Sequence, residues 1–146
     1  MHLLLVFLTM SLAPRPAAQR VCDMNQLNRE YTKLLAAKRS ERSHHHQTVS
    51  YDAGVFALAA RHNAFLEQHD TLTHSQTVNA ELVGSLWGEE SNQRDPTKLA
   101  ALIFKNLDES KAGHSQIQID PARRYVAVSC TQGYYVVQLR PTPQPR

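Results

Sequence analysis

The sequence predicts an α+β domain in which helices cover a small antiparallel sheet. Two observations lead there. Segments with apolar residues at helical spacing occupy the first and middle parts of the chain, and two runs rich in β-branched and aromatic residues, separated by a turn, come last. A short apolar stretch in the middle offers a further strand. At 146 residues and 42% hydrophobic content, the chain suffices for one compact domain with a real core and excludes two large ones.

The first helix starts at Met24, with Leu27, Tyr31, Leu34 and Leu35 on one face, and fades into the charged run Lys38 to Ser43. His44, His45 and His46 open an aperiodic loop that ends at Ser50-Tyr51-Asp52, where Ser50 or Asp52 can cap a second helix. That helix carries Val55, Phe56, Leu58, Ala59, His62, Phe65 and Leu66 on a wide apolar face. An irregular connection from His69 to Asn79 precedes the strand-like segment Glu81 to Trp87. Asp95-Pro96 then marks a helix start, with a capping carboxylate and proline at the first helical position; Leu99, Leu102, Ile103 and Leu107 follow, and the helix ends near Ser110. Tyr125 to Cys130 and Tyr134 to Leu139 flank the turn Thr131-Gln132-Gly133 as a hairpin. The tail 141–146, with three prolines, reads as a flexible, polyproline-like end.

Residues 3–13 form an apolar run of the length of an export signal, followed by Pro14, Pro16 and the small pair Ala17-Ala18, so residues 1–18 read as a signal peptide and the product as secreted or periplasmic. The run is too short to span a bilayer, and no transmembrane helix is expected elsewhere. In an exported domain the two cysteines, Cys22 and Cys130, suggest a disulfide joining the ends of a domain over 22–140. The alternative is two buried, unpaired thiols in a cytosolic chain.

A net charge of +3 with no block of like charges gives no electrostatic clamp for nucleic acid or membrane. P-loop, GxSxG, HExxH and GxGxxG motifs are all missing, which removes the signatures of nucleotide hydrolysis and of the commonest esterase, zinc-protease and dinucleotide chemistries.

The compositional oddity is eight histidines. Adjacent imidazoles on a loop point in different directions, so the triplet reads as solvated rather than as a metal site. His62, on an apolar helix face, reads as a packed or hydrogen-bonded core residue, and His69 as a helix-end imidazole facing the negative end of the dipole. His74 and His114 differ, because Thr73-His74-Ser75 and Gly113-His114-Ser115 are turn contexts that can present a ring to a cleft. Glu81 is the nearest acid in an apolar stretch. Two imidazoles and a carboxylate suffice for a divalent metal with an open position, or for acid/base work. The alternative is three unrelated structural residues.

Three blocks in order carry a resemblance: Ala57-Leu58-Ala59-Ala60 running on to Leu72-Thr73-His74-Ser75, then Ala80-Glu81-Leu82-Val83, then Ala112-Gly113-His114 continuing to Ile117-Gln118-Ile119-Asp120-Pro121. In this the chain resembles the CAP superfamily, the secreted domains related to cysteine-rich secretory proteins, antigen five and plant pathogenesis-related proteins, and in particular its short bacterial-type branch. The family has a histidine closing the first block, a Gly-Glu-Asn-Ile-like strand start and a Ser-Pro-Gly-His-like turn. Here Ala80 and Leu82 replace the Gly and Asn, and no proline precedes Gly113-His114. Larger members carry a second acid in the preceding helix, for which this chain offers only Glu109, a weak candidate near the helix end.

The resemblance implies a CAP-type α-β-α sandwich with an open cleft where His74, Glu81 and His114 converge. It also implies divalent-metal binding, with Zn or a similar ion, at the His pair. It does not imply an enzyme, since the family is associated with metal, lipid and signalling roles as well as disputed proteolysis. The leading expectation is an exported binding domain holding a divalent metal or small polar ligand. The rivals are a metal-assisted or acid/base hydrolase using the same three residues, and a lipid- or protein-interaction module with structural histidines. Ser75 and Ser115 adjoin the histidines, but sequence adjacency does not make either a nucleophile.

Overall fold

A computed structural model describes residues 22–42, 48–75 and 80–146. The expected signal peptide and the His44 to His46 triplet lie outside the described residues. In chain order the elements are α1 (Met24–Arg42), β1 (Ser50–Tyr51), α2 (Ala53–His69), β2 (Glu81–Ser85), α3 (Pro96–Asp108), α4 (His114–Ile119), β3 (Tyr125–Cys130) and β4 (Tyr134–Arg140), with a short 3₁₀ turn at Glu90–Asn92. The α+β class is as the sequence predicts.

Local chemistry explains the helix starts. Asp23 accepts from the amides of Asn25 and Gln26 before α1. Asp52 accepts from Val55 at 2.8 Å at the start of α2, and Asp95 from Thr97 and Lys98 before Pro96 opens α3.

The strands form one sheet in the order β1-β3-β4-β2. The β3–β4 hairpin and the β2–β4 pair are antiparallel, but β1 joins β3 in parallel, so the sheet is mixed rather than wholly antiparallel as expected. A two-residue strand carries no alternation to read, and only the bonds from Ser50 N–H to Arg124 C=O (2.9 Å) and from Asp52 N–H to Val126 C=O (3.4 Å) reveal it.

Alternate residues of the strands serve two separate cores. Leu82, Val126, Val128, Val137 and Leu139 pack with Leu27, Tyr31 and Leu35 of α1 and Leu99, Ile103 and Leu107 of α3. Val83, Tyr134 and Val136 pack with Ala59 and Leu66 of α2. Helices therefore cover both sheet faces, which is why every residue of β4 is buried. The sheet is tied to α1 by Asn28, whose side-chain amide donates to Val128 C=O (2.9 Å) and accepts from Val128 N–H (2.7 Å).

Three expectations meet a different structure. The segment after Gly113 is not only a turn but the helix α4, held from below by Tyr31 Oη donating to Gln118 Oε1 (2.6 Å) and by Arg39, which donates to the carbonyls of Gln118 and Arg123. The Pro-rich tail, expected as a free end, lies across the start of α2: Gln144 N–H donates to Asp52 at 3.2 Å, and its carbonyl occupies the space that any Cβ on Gly54 would need. The expected disulfide is not formed. Cys22 and Cys130 are free thiols, with Cys22 Sγ directed at Asp23 C=O and Cys130 Sγ at Thr131 C=O. Burial first, and the neighbouring Cys22 second, push the Cys130 thiol up to about 12, so it stays protonated at neutral pH. Among the described residues no helix is long and apolar enough to cross a membrane.

Candidate functional site

The site is built where the chain returns from α2 to the sheet. Asp70 takes a left-handed conformation (φ 48°) and ends α2, releasing Thr71 to Ser75 to run back along the helix. His62 pins this return. Its Nε2 lies 2.7 Å from Thr73 C=O and 3.4 Å from Glu81 Oε1; both neighbours only accept, so Nε2 carries the proton. The expected core histidine is thus a hydrogen-bonded one, and it also touches the candidate acid.

Glu81 opens β2 on the sheet face turned to α2, directly opposite Gln138 of the central strand β4. It is 5% exposed. Its Oε1 accepts from Ser75 N–H (2.6 Å), and its Oε2 accepts from Ser75 Oγ (2.7 Å) and from Gln138 Nε2. Gln138 in turn accepts at Oε1 from Arg140 Nη2 (2.7 Å). A buried carboxylate is tolerated only when its lone pairs are filled, and here both oxygens are.

Above this acid stand the two histidines. His74 is more than half exposed, its Nδ1 3.7 Å from Glu81 Oε1. His114 begins α4 directly after Gly113, whose φ of 80° is open to glycine at little cost and turns the chain so that the ring meets His74. The two ring centroids are 6.4 Å apart at 75°. His114 Nδ1 is buried without a hydrogen-bond partner. Burial first, and the neighbouring His74 second, hold the His114 imidazole below its ordinary range, so at neutral pH it is uncharged.

The structure therefore places His74 between two neighbours, with Glu81 3.7 Å from its Nδ1 and the His114 ring 6.4 Å from its own. Glu109 stands apart: it caps the C-terminus of α3, is exposed, and lies 4.0 Å from Lys105. His69 packs on Phe65 at 4.3 Å, outside the site. Ser75 is a holder of Glu81 rather than a free hydroxyl.

Sequence reasoning passed over Gln138 and Arg140. The available signal was parity: in a strand covered on both faces, polar residues at alternate positions share one side and need a buried partner there. Among the described residues no group of three or more His, Cys, Asp or Glu side chains is arranged to hold a metal ion. The donor set explains this, since Glu81 spends its oxygens on Ser75 and Gln138. Compared with protein-family models, with curated proteins and with solved structures, the chain matches none.

Proposed function

We propose that the chain is an exported CAP-like binding domain whose cleft offers His74 and His114 to a divalent metal ion or a small polar ligand, with Glu81 orienting His74 rather than completing the site. The observation that carries this reading is the approach of the two rings, 6.4 Å between centroids, over a buried carboxylate, with His114 Nδ1 lacking a partner. Helices on both sheet faces and the adjacency of the three residues also support the family resemblance.

Two neutral imidazoles suit Zn²⁺ or a similar borderline ion, but structural zinc takes four protein ligands and catalytic zinc three. A two-imidazole site leaves half the coordination sphere to water or to a ligand's own donors, and so holds the ion weakly. Such an ion would supply Lewis acidity at that open side. The chain's own part is to keep His114 uncharged by burial and to direct His74 through the Glu81 carboxylate. The hydrolase alternative would require Glu81, as general base, to give up Ser75 or Gln138 first.

The test is calorimetric titration with Zn²⁺ at about pH 7.5 and about pH 5.5, on either side of the imidazole range. It compares the chain with a His74→Ala/His114→Ala variant, the His44 to His46 triplet being replaced in both. Saturable binding of one ion per chain, lost at the lower pH and in the double variant, is expected. Equal binding by the two proteins, or none by either, sinks the metal reading.

A further inference from the structure

On the α2 side of the sheet lies a cavity of about 220 Å³ whose lining includes neither His74 nor His114. Strand β4 contributes Gln138 and Arg140, and α2 contributes Leu58, Arg61, His62 and Phe65. Arg140 is the unusual member. It is only 3% exposed, makes one hydrogen bond, from Nη2 to Gln138 Oε1, and buries its Nε without an acceptor. Buried guanidinium groups are normally matched by a full set of acceptors. The acid that acts on Arg140 is Glu81, but Gln138 stands between them and takes a hydrogen bond from one while giving one to the other. Arg140 and Arg61 outnumber Glu81 at this cavity by one positive charge, and Arg123, which also acts on Arg140, is paired with Asp120 at 2.9 Å.

We propose that the cavity binds a small monocarboxylate, its carboxylate accepting from the Arg140 guanidinium and its apolar body lying against Leu58 and Phe65. The planar guanidinium fork matches a carboxylate in shape as well as charge. One net positive charge fits a monoanion better than a phosphate dianion. The volume corresponds to roughly seven waters at liquid density, so it has room for an acid of about the size of benzoate. The His62 ring stacks on Phe65, parallel at 5.9 Å and 11°, and both line the cavity. The cavity shares Ser75 and Gln138 with the surroundings of Glu81, but neither His74 nor His114 lines it, so carboxylate binding is tested separately from the metal reading.

The experiment uses the full chain in excess EDTA, so that no metal contributes. Benzoate is titrated while the arginine Nε–H resonances are followed by NMR, Arg140 being assigned by its loss in Arg140→Met; benzyl alcohol and inorganic phosphate serve as the neutral and dianionic probes. The Arg140 resonance is expected to move saturably with benzoate, with benzyl alcohol and phosphate each at least about tenfold weaker. Arg140→Met should weaken benzoate binding at least about tenfold, and Leu58→Trp, which fills the cavity but keeps the arginine, should do the same. Absence of a saturable shift overturns the proposal, as does equal binding of benzyl alcohol, equal binding of phosphate, or wild-type affinity in Leu58→Trp. Should Arg140→Met fail to fold by circular dichroism, Leu58→Trp and the two control probes decide the matter alone.

Discussion

The two faces of the sheet are made from alternate residues of the same strands, yet they do different work. The face under α1 and α3 is lined by Leu82, Val126, Val128, Val137 and Leu139 and closes into one continuous apolar core. The face under α2 carries only a small apolar cluster, and beside it Glu81, Gln138 and Arg140 are buried as a hydrogen-bonded chain. In β4 the change of role takes one step along the backbone, from Leu139 to either neighbour. Folding free energy is concentrated on one side, so the other can hold costly polar groups in fixed positions.

That contrast can be broken most severely on the apolar face. Leu139→Ala removes a fully buried side chain from the larger core and is expected to cost about 2–5 kcal/mol in urea unfolding. As long as the variant is folded, the ring resonances of His74 and His114 should stay in place. A loss below about 1 kcal/mol would mean that this face is not the main source of stability.

Glu81→Gln probes the other face and should reverse the balance of effects. The carboxamide must turn one N–H group toward donors already supplied by Ser75 and Gln138, at a cost of about 1–3 kcal/mol. Its stronger signature is expected in the His74 ring resonances, because the group 3.7 Å behind that ring changes its charge and its hydrogen bonds. Unchanged resonances would show that Glu81 supports the fold without orienting the histidine.

The smallest effect concerns pH. Burial holds His114 below the ordinary imidazole range in the folded state, so the unfolded chain takes up this proton more readily. The contribution to stability is complete above the unfolded value of about 6.5 and is lost as pH falls toward the lower folded value. The drop in urea midpoint between about pH 7 and about pH 5.5 should therefore be smaller in His114→Gln than in the parent chain. An equal drop in both would place the acid sensitivity elsewhere.

What the sequence made legible follows from how local each signal is. Helices α1, α2 and α3 and the β3–β4 hairpin announce themselves through period and caps, and Asp52 and Asp95 act as the capping rules require. Helix α4 was hidden because six residues carry less than two turns of periodicity and a glycine precedes them. Strand β1 was hidden by being two residues long. His74, Glu81 and His114 could be picked out because polar residues stood in turn or apolar contexts. Gln138 and Arg140 announce themselves only by parity, as polar residues at alternate positions of an apolar strand, and what they face follows from the register that sets Gln138 opposite Glu81, a property of pairing between distant segments.

Placing β4 between β3 and β2 has a consequence for biosynthesis. The strand that supplies Gln138 is made 57 residues after the Glu81 it must satisfy, and the anchoring of Asn28 to Val128 waits across 100 residues. A nascent chain that has not yet released β4 from the ribosome can offer its acid only Ser75, and it lacks the central strand that organises its helices. The sheet can close only after translation has passed this point, and a product cut short before Gln138 would lack the strand that joins β3 to β2.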